Sequence, residues 1–242
     1  MQTEVEGIVL KDTLYSETSK IIQVLTKEYG LLSIMAKGAS SIKSNLRSLT
    51  IPFLYAKFQI NYNKDKMSLL KNGTVIKLYG SNVNDLKIYA YISYICELTY
   101  NVLKENNDHE LFNILKNALD KISDGLNPEV IKNIVEFKYL DYLGITPNFE
   151  ICQKCNCIKD AYAIDGKVGG FICKDCYKNE IKVLANYKKI IERFINVDIK
   201  TINEIKLTKE DENIINTFLS DYYENYSAIF LKSKKFLETF KS

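Results

Sequence analysis

Only one of the 242 residues is histidine, His109, and only two are arginine, Arg47 and Arg193. The scarcity of histidine removes whole classes of chemistry. No HExxH pair and no H-x-E followed by P-C-x-x-C can be written, so the ligand sets of zinc proteases and nucleobase deaminases are missing. His109 itself lies in the polar stretch Asn107-Asp108-His109-Glu110 and reads as a solvated side chain at a helix start. No run of about 18 apolar residues occurs, which leaves no membrane span. The first residues, Met1-Gln2-Thr3-Glu4, carry neither a basic n-region nor an apolar h-region, so no signal peptide is expected. Cytoplasmic residence follows, and with it reduced thiols. There is no internal repeat and no low-complexity tract. Hydrophobic residues make up 46% and charged residues 26% of the chain, which suits a globular protein with a real core in one large or two small domains.

Six cysteines are present, and four stand in two pairs, Cys152-Gln-Lys-Cys155 and Cys173-Lys-Asp-Cys176, with 17 residues between the pairs. This is the spacing of a Cys₄ zinc site. A two-residue gap lets one tight knuckle present two thiolates, and a second knuckle closes the tetrahedron at Zn–S distances of about 2.3 Å. The intervening Asp165-Gly166-Lys167 and Gly169-Gly170 allow a short hairpin. Two disulfides or unpaired thiols are the alternative. One structural Zn²⁺ per chain is expected. Four thiolates leave no coordination position for water, so the site is not read as catalytic. Cys157 is a spare thiol or an exchanging ligand, and Cys96, in an apolar helical run, is a core residue.

Residues 1–80 hold 11 Lys and Arg against 6 Asp and Glu, a balance of +5, within a chain of net charge +3. The remainder is therefore slightly acidic, and a Cys₄–zinc centre would add about −2 to it. The basic excess is N-terminal, which suits a polyanion-binding module there. A solvated lysine face is the competing reading for any single lysine.

The same 80 residues read as strands: Gly7–Lys11, Lys20–Thr26, Leu31–Ala36, an alternating run from Pro52 to Tyr62, and a last one from Met67–Leu70 into Thr74–Tyr79 that Asn72-Gly73 punctuates. In the alternating run Leu54, Ala56, Phe58, Ile60 and Tyr62 share one face, and Phe53, Tyr55, Lys57 and Gln59 the other. Five short strands without a long helix predict a small antiparallel barrel. From about Asn82 the period becomes helical. Asn84 or Asp85 caps a helix through Leu103, a second spans Glu110–Ser123, and a third opens at Asn127-Pro128 and stops at Tyr142 before Gly144. Helical spacing returns from Ile181 to Phe194, and a last helix runs from Thr208 to Leu231 with Thr208 and Asp211 as a capping-box variant. The fold expected is α+β and multi-domain: a barrel over 1–80, then an all-helical domain over 81–242 with a zinc-finger insertion at 150–178.

Several stretches carry a family resemblance: Glu6-Gly7-Ile8-Val9-Leu10-Lys11, Tyr15-Ser16-Glu17-Thr18-Ser19-Lys20-Ile21-Ile22, Thr26-Lys27-Glu28-Tyr29-Gly30-Leu31-Leu32, and Ala36-Lys37-Gly38-Ala39 with Lys43-Ser44. Tyr139-Leu140-Asp141-Tyr142-Leu143-Gly144-Ile145-Thr146-Pro147 leads into the cysteines, and Leu231 to Leu237 closes the pattern. In this order they resemble the RecO recombination mediators of bacteria. The resemblance implies an OB-fold, a helical domain with a zinc finger, and a non-enzymatic, nucleoid-associated role in recombinational repair. It implies binding and annealing of single- and double-stranded DNA. It also implies help in loading RecA onto strands coated by single-stranded-DNA-binding protein, with RecR and in some settings RecF. One departure stands out. Family members often carry several cations directly after the Ala-Lys-Gly turn, whereas here Ala39-Ser40-Ser41-Ile42 precede Lys43, with Arg47 later. Fewer cations predict weaker binding with a flatter salt dependence.

An OB barrel grips single strands with cations on phosphates and aromatics under bases. The candidate cations are Lys11, Lys20, Lys37, Lys43, Arg47 and Lys57, and the candidate stacking residues Phe53 and Tyr55, for which packing is the alternative. Lys232, Lys234 and Lys235 beside Phe236 form a candidate dock for an acidic, aromatic-ended peptide such as the tail of single-stranded-DNA-binding protein, or else an ordinary lysine-rich helix end. A protein–protein adaptor with a degenerate barrel is the runner-up function, and a zinc-dependent hydrolase or deaminase the third.

Overall fold

Alternation of apolar and polar side chains closes the first strands on themselves. In the computed structural model, which describes residues 1–64, 66–80, 85–184 and 187–240, β1 (Gln2–Leu14), β2 (Lys20–Thr26), β3 (Gly30–Ala36), β4 (Leu54–Asn61) and β5 (Ser68–Leu78) form a closed barrel in the order β1-β2-β3-β5-β4. β4 returns to pair antiparallel with β1, and β3 meets β5 in parallel at Ile34–Ser68 and Met35–Leu69. The interior is packed by Val5, Val9, Ile22, Val24, Ile34, Leu54, Ala56, Phe58, Ile60 and Leu70. The face expected from the period of β4 is thus the barrel core, with Tyr62 half-buried at its edge. Burying each large aliphatic or aromatic side chain of this set favours the fold by about 1.5–3 kcal/mol.

Two strand expectations need correction. Asn72-Gly73 does not break the chain, because β5 runs through it and pairs with β4 on both sides, Gln59 opposite Asn72 and Phe58 opposite Gly73. The irregularity appears instead as shifts of register between Tyr55 and Ala56 and between Gln59 and Ile60. β1 is also longer than its apolar heart, because its polar ends are held by β4 and β2.

By its contacts the chain separates into two units, residues 1–124 with 231–242, and residues 125–230. The first unit adds α1 (Leu86–Glu105), α2 (Leu111–Ser123) and α6 (Lys232–Glu238) to the barrel. Asp85 caps α1 by accepting from the Ile88 N–H at 3.0 Å, whereas the alternative cap, Asn84, lies outside the described residues. Cys96 is fully buried in α1, as expected of a core thiol, and His109 is exposed ahead of α2.

The second unit centres on α3 (Pro128–Tyr142), capped by Asn127 with Pro128 in its first turn. Phe137 of α3 stacks on Phe218 at 6.2 Å between ring centroids and meets Phe194 edge-on at 6.0 Å. Those rings belong to α5 (Lys209–Tyr226) and α4 (Tyr187–Asn196). Thr208 and Asp211 make the capping box in full. Here too two expectations are corrected. Ile181 and Lys182 form a strand rather than a helix start, and α4 begins only at Tyr187. The helix expected to reach Leu231 ends at Tyr226, and α6 is a separate helix.

Candidate metal centre and nucleic-acid interface

The four paired cysteines converge. One ligand atom from each of Cys152, Cys155, Cys173 and Cys176 lies within 4.8 Å of all the others. The local backbone explains how. After the first pair Asn156 takes a left-handed conformation, φ 57°, which asparagine tolerates, and its N–H donates to the Cys152 carbonyl at 2.8 Å. The second pair turns on a short 3-10 helix, with the Cys176 N–H donating to the Cys173 carbonyl at 3.1 Å. Between the pairs, β6 (Ala163–Asp165) and β7 (Gly170–Ile172) make the expected hairpin, and β8 (Ile181–Lys182) adds a third strand alongside β6. The Asp165 carboxylate closes the hairpin turn by accepting from the Lys167 N–H at 2.7 Å. Gln153 N–H donates to the Phe171 carbonyl at 2.9 Å, which ties the first knuckle to β7.

The electrostatics suit a cation. Burial pushes the Cys152 thiol up, but backbone N–H groups, led by that of Cys173 at 3.4 Å, outweigh it and bring the thiol down to about 6. Hydrogen bonding to Cys155 and Cys173 pushes Cys176 up to about 12. A divalent ion held by the four sulfurs would favour the thiolate form at Cys152 and at Cys176 alike. Lys154 pairs with Glu180, and Lys159 pairs with Asp175 at 2.5 Å. Cys157 is exposed and stands outside the quartet, its thiol near the Cys155 carbonyl at 3.5 Å. A groove of about 550 Å³ beside the quartet carries Lys159 and Lys188, both committed to carboxylates, so it offers no free cation from either.

On the barrel the candidate residues divide. Lys37, Lys43 and Arg47 are exposed on the segment that follows β3, and among the described residues none of them pairs with a carboxylate. Gly38 sits among them at φ 71° with open space where a side chain would begin, and its N–H reaches Ser19 Oγ at 3.4 Å. Lys11 is exposed. Lys20 is spent on Asp12 at 2.7 Å, and Lys57 stands 3.8 Å from Glu4. The two candidate stacking residues are corrected. Phe53, 6% exposed, packs edge-on against Tyr89 at 5.3 Å. Tyr55, 8% exposed, lies between Tyr79 and Phe112 and donates its hydroxyl to Glu6. Neither can receive a base, because Tyr89 of α1 lies against Phe53 and Phe112 of α2 against Tyr55, while Lys57 and Gln59 further along the strand stay exposed. Packing, the alternative open at the level of sequence, is what the structure has; outward-facing aromatics look alike in sequence whether water or a helix lies above them.

Lys232, Lys234, Lys235 and Phe236 all fall on α6. Ser233 and Leu237 turn inward, and Phe236 is partly exposed, edge-on to Phe240 at 5.3 Å. Among the described residues no helix is long and apolar enough to cross a membrane.

Comparison with known proteins agrees with this architecture. Residues 1–79 match the family model described as Recombination protein O N terminal, and residues 83–235 match Recombination protein O C terminal. A DNA repair protein RecO of Bacillus velezensis is 32% identical over 246 residues, covering 100% of this chain and 96% of the relative. That of Bacillus cytotoxicus is 34% identical over 245 residues, covering 98% and 97%, and that of Bacillus subtilis is 30% identical over 246 residues, covering 100% and 96%.

Proposed function

The chain belongs to the Recombination protein O family, RecO, and from that premise we propose that it is a non-enzymatic mediator of DNA repair and recombination. It binds single- and double-stranded DNA without reading sequence, anneals complementary strands, and with RecR, and RecF in some settings, helps load RecA onto DNA coated by single-stranded-DNA-binding protein. It works in the cytoplasm at the nucleoid. Residues 1–80 supply the nucleic-acid module, and residues 81–242 carry the finger at 150–178.

The observation that carries this reading is the segment after β3, where Lys37, Lys43 and Arg47 stand exposed, without carboxylate partners among the described residues, around a glycine that admits close approach of a phosphate. Lys11 and Lys57 add to it. The buried Phe53 and Tyr55 leave the grip to these few cations, so binding should be modest, with a shallow salt slope set by the small number of phosphate contacts. The thiol quartet holds one structural Zn²⁺: four soft sulfur donors in a tight cluster suit this ion and saturate a tetrahedral shell. The α6 residues Lys232, Lys234, Lys235 and Phe236 receive the acidic tail of single-stranded-DNA-binding protein.

The test is binding of a fluorescent oligo-dT as salt is raised, with strand annealing measured in the presence of single-stranded-DNA-binding protein. Lys37→Ala with Arg47→Ala should weaken binding and reduce its salt slope by about 1.4, two phosphate contacts at about 0.7 each. Undiminished affinity in the double variant rejects this loop. Partner binding with negligible DNA affinity would instead make the chain an adaptor.

A further inference from the structure

We propose that Lys11, Tyr100 and Lys104 form a further contact for single-stranded nucleic acid, a phosphate grip held together by the tyrosine ring. The proposal rests on the DNA-binding reading above and adds two residues of α1 to it. Lys11 follows the register shift in β1, and β1 and α1 touch within the first unit. The Lys104 ammonium lies 4.5 Å from the centre of the Tyr100 ring, and the Lys11 ammonium lies 5.8 Å from the same centre.

Two like charges drawn to one ring repel each other, and the negative face of the ring offsets only part of that repulsion. What this group lacks is an anion. Among the described residues no carboxylate lies within ion-pair distance of either ammonium. Two nearby acidic side chains are already engaged, Asp12 with Lys20 at 2.7 Å and Glu97 with the Ser233 N–H at 2.8 Å, and the exposed Glu105, next to Lys104 in sequence, makes no ion pair with it among the described residues. Among the described residues Lys104 has only the Asn101 side-chain oxygen as a hydrogen-bond partner, at 3.4 Å.

The neighbouring surface favours a nucleotide chain over an acidic peptide. In the barrel register Lys11 stands opposite Gln23, and Gln23 opposite Ser33, so a neutral hydrogen-bonding pair on β2 and β3 continues the row that Lys11 begins on β1. Ser33 donates to the Gln23 side-chain oxygen at 2.9 Å. Phosphates would meet the ammonium groups and base edges the neutral row, a division that a run of carboxylates does not use.

The experiment uses the full-length protein, a fluorescent oligo-dT, and anisotropy across a salt series. Lys11→Gln with Lys104→Gln should weaken binding about tenfold at low salt and lower the salt slope by about 1.4, with each single variant giving about half the slope change. Tyr100→Leu should weaken binding about fivefold, and Tyr100→Phe, which keeps the ring, should restore it. Wild-type affinity and slope in the lysine double variant, while Lys37→Ala with Arg47→Ala still loses binding, overturns this contact and leaves the DNA reading intact. No binding by the wild-type chain overturns both. Loss of polyglutamate binding with oligonucleotide binding unchanged assigns the cations to an acidic peptide and overturns the proposal as well.

Discussion

Glu97, in the middle of α1, accepts from the backbone N–H of Ser233 at 2.8 Å and of Lys232 at 3.2 Å, and takes the Ser233 hydroxyl too. A carboxylate 136 residues away in sequence thus caps the last helix, which lacks a cap from its own residues. An anion at a helix N-terminus satisfies orphan N–H groups and meets the positive end of the helix dipole. Without it, a seven-residue helix has little reason to persist alone. Glu97→Ala should cost about 1–2 kcal/mol and open residues 227–240 to protease while the barrel stays intact. Limited proteolysis with mass mapping reads this directly. If α6 docks an acidic peptide, the same variant should weaken that docking without touching oligonucleotide binding.

The metal makes the second prediction. One zinc per chain should be found by elemental analysis after purification without chelator. Its removal should free residues 150–184 to hydrogen exchange, because Cys152 and Cys173 pack into one small core with Ala163 and Ile172. Cys173→Ser, at a buried ligand, should lose the ion. Cys157→Ser should keep it, since that thiol stands outside the quartet. Retention of a full equivalent of zinc by Cys173→Ser would break the assignment.

How much of this could be read beforehand depended on whether the deciding contact was local. Each of the two Cys knuckles, the Asn127-Pro128 start and the Thr208–Asp211 capping box are set by residues a few positions apart, and each lies where the sequence placed it. The barrel was legible because alternation over β4 sorts Phe58 and Ile60 inward whatever the partner strand. The misreadings share another cause. Asn72-Gly73 looks like a turn, but ladder bonds to Phe58 and Gln59 hold it extended. Ile181 fits a helical stripe, but pairing with Ile164 makes it a strand. Tyr55 looks like a stacking platform until Phe112, 57 positions later in the sequence, is seen to cover it. In each case a partner distant in sequence outweighs local preference.

Acid should act through Asp120 of α2. Burial pushes this carboxyl up, but hydrogen bonds from Lys116 at 2.8 Å, Lys77 at 2.9 Å and Tyr79 at 3.0 Å outweigh it and hold it below its ordinary value of 3.8. A group whose folded value is depressed contributes stability above its unfolded value, and that stability is lost as pH falls through the folded one. The loss therefore belongs to the window below about pH 4. Asp120→Asn should cost about 1–2 kcal/mol at neutral pH, reduced by solvent screening at this half-exposed site. It should also flatten the acid limb relative to the wild type. Denaturant melts of both proteins from pH 3 to 7, compared pairwise, cancel the acid sensitivity of the thiol quartet. Parallel acid limbs would remove Asp120 from the account.

The closest packing in the second unit gives the last prediction. A side chain begun at Gly166, in the β6–β7 turn, would meet the Phe218 carbonyl at 2.3 Å, Asp221 Cβ at 2.7 Å and the Tyr222 N–H nitrogen at 2.8 Å. Two of these atoms are helix backbone of α5 and cannot swing aside, so even one methyl group must push the finger hairpin off the helix. Gly166→Ala should therefore lower the melting temperature of the second unit and loosen the hairpin, at a cost of about 1–3 kcal/mol for forced overpacking. Zinc binding should survive, because no cysteine ligand lies in that turn and the knuckles are joined through Gln153 and Phe171 instead. The combination is diagnostic: increased hydrogen exchange at residues 163–172 with a full equivalent of zinc means that hairpin docking and metal binding are separate sources of stability. Loss of zinc in Gly166→Ala would mean that α5 positions the thiols as well.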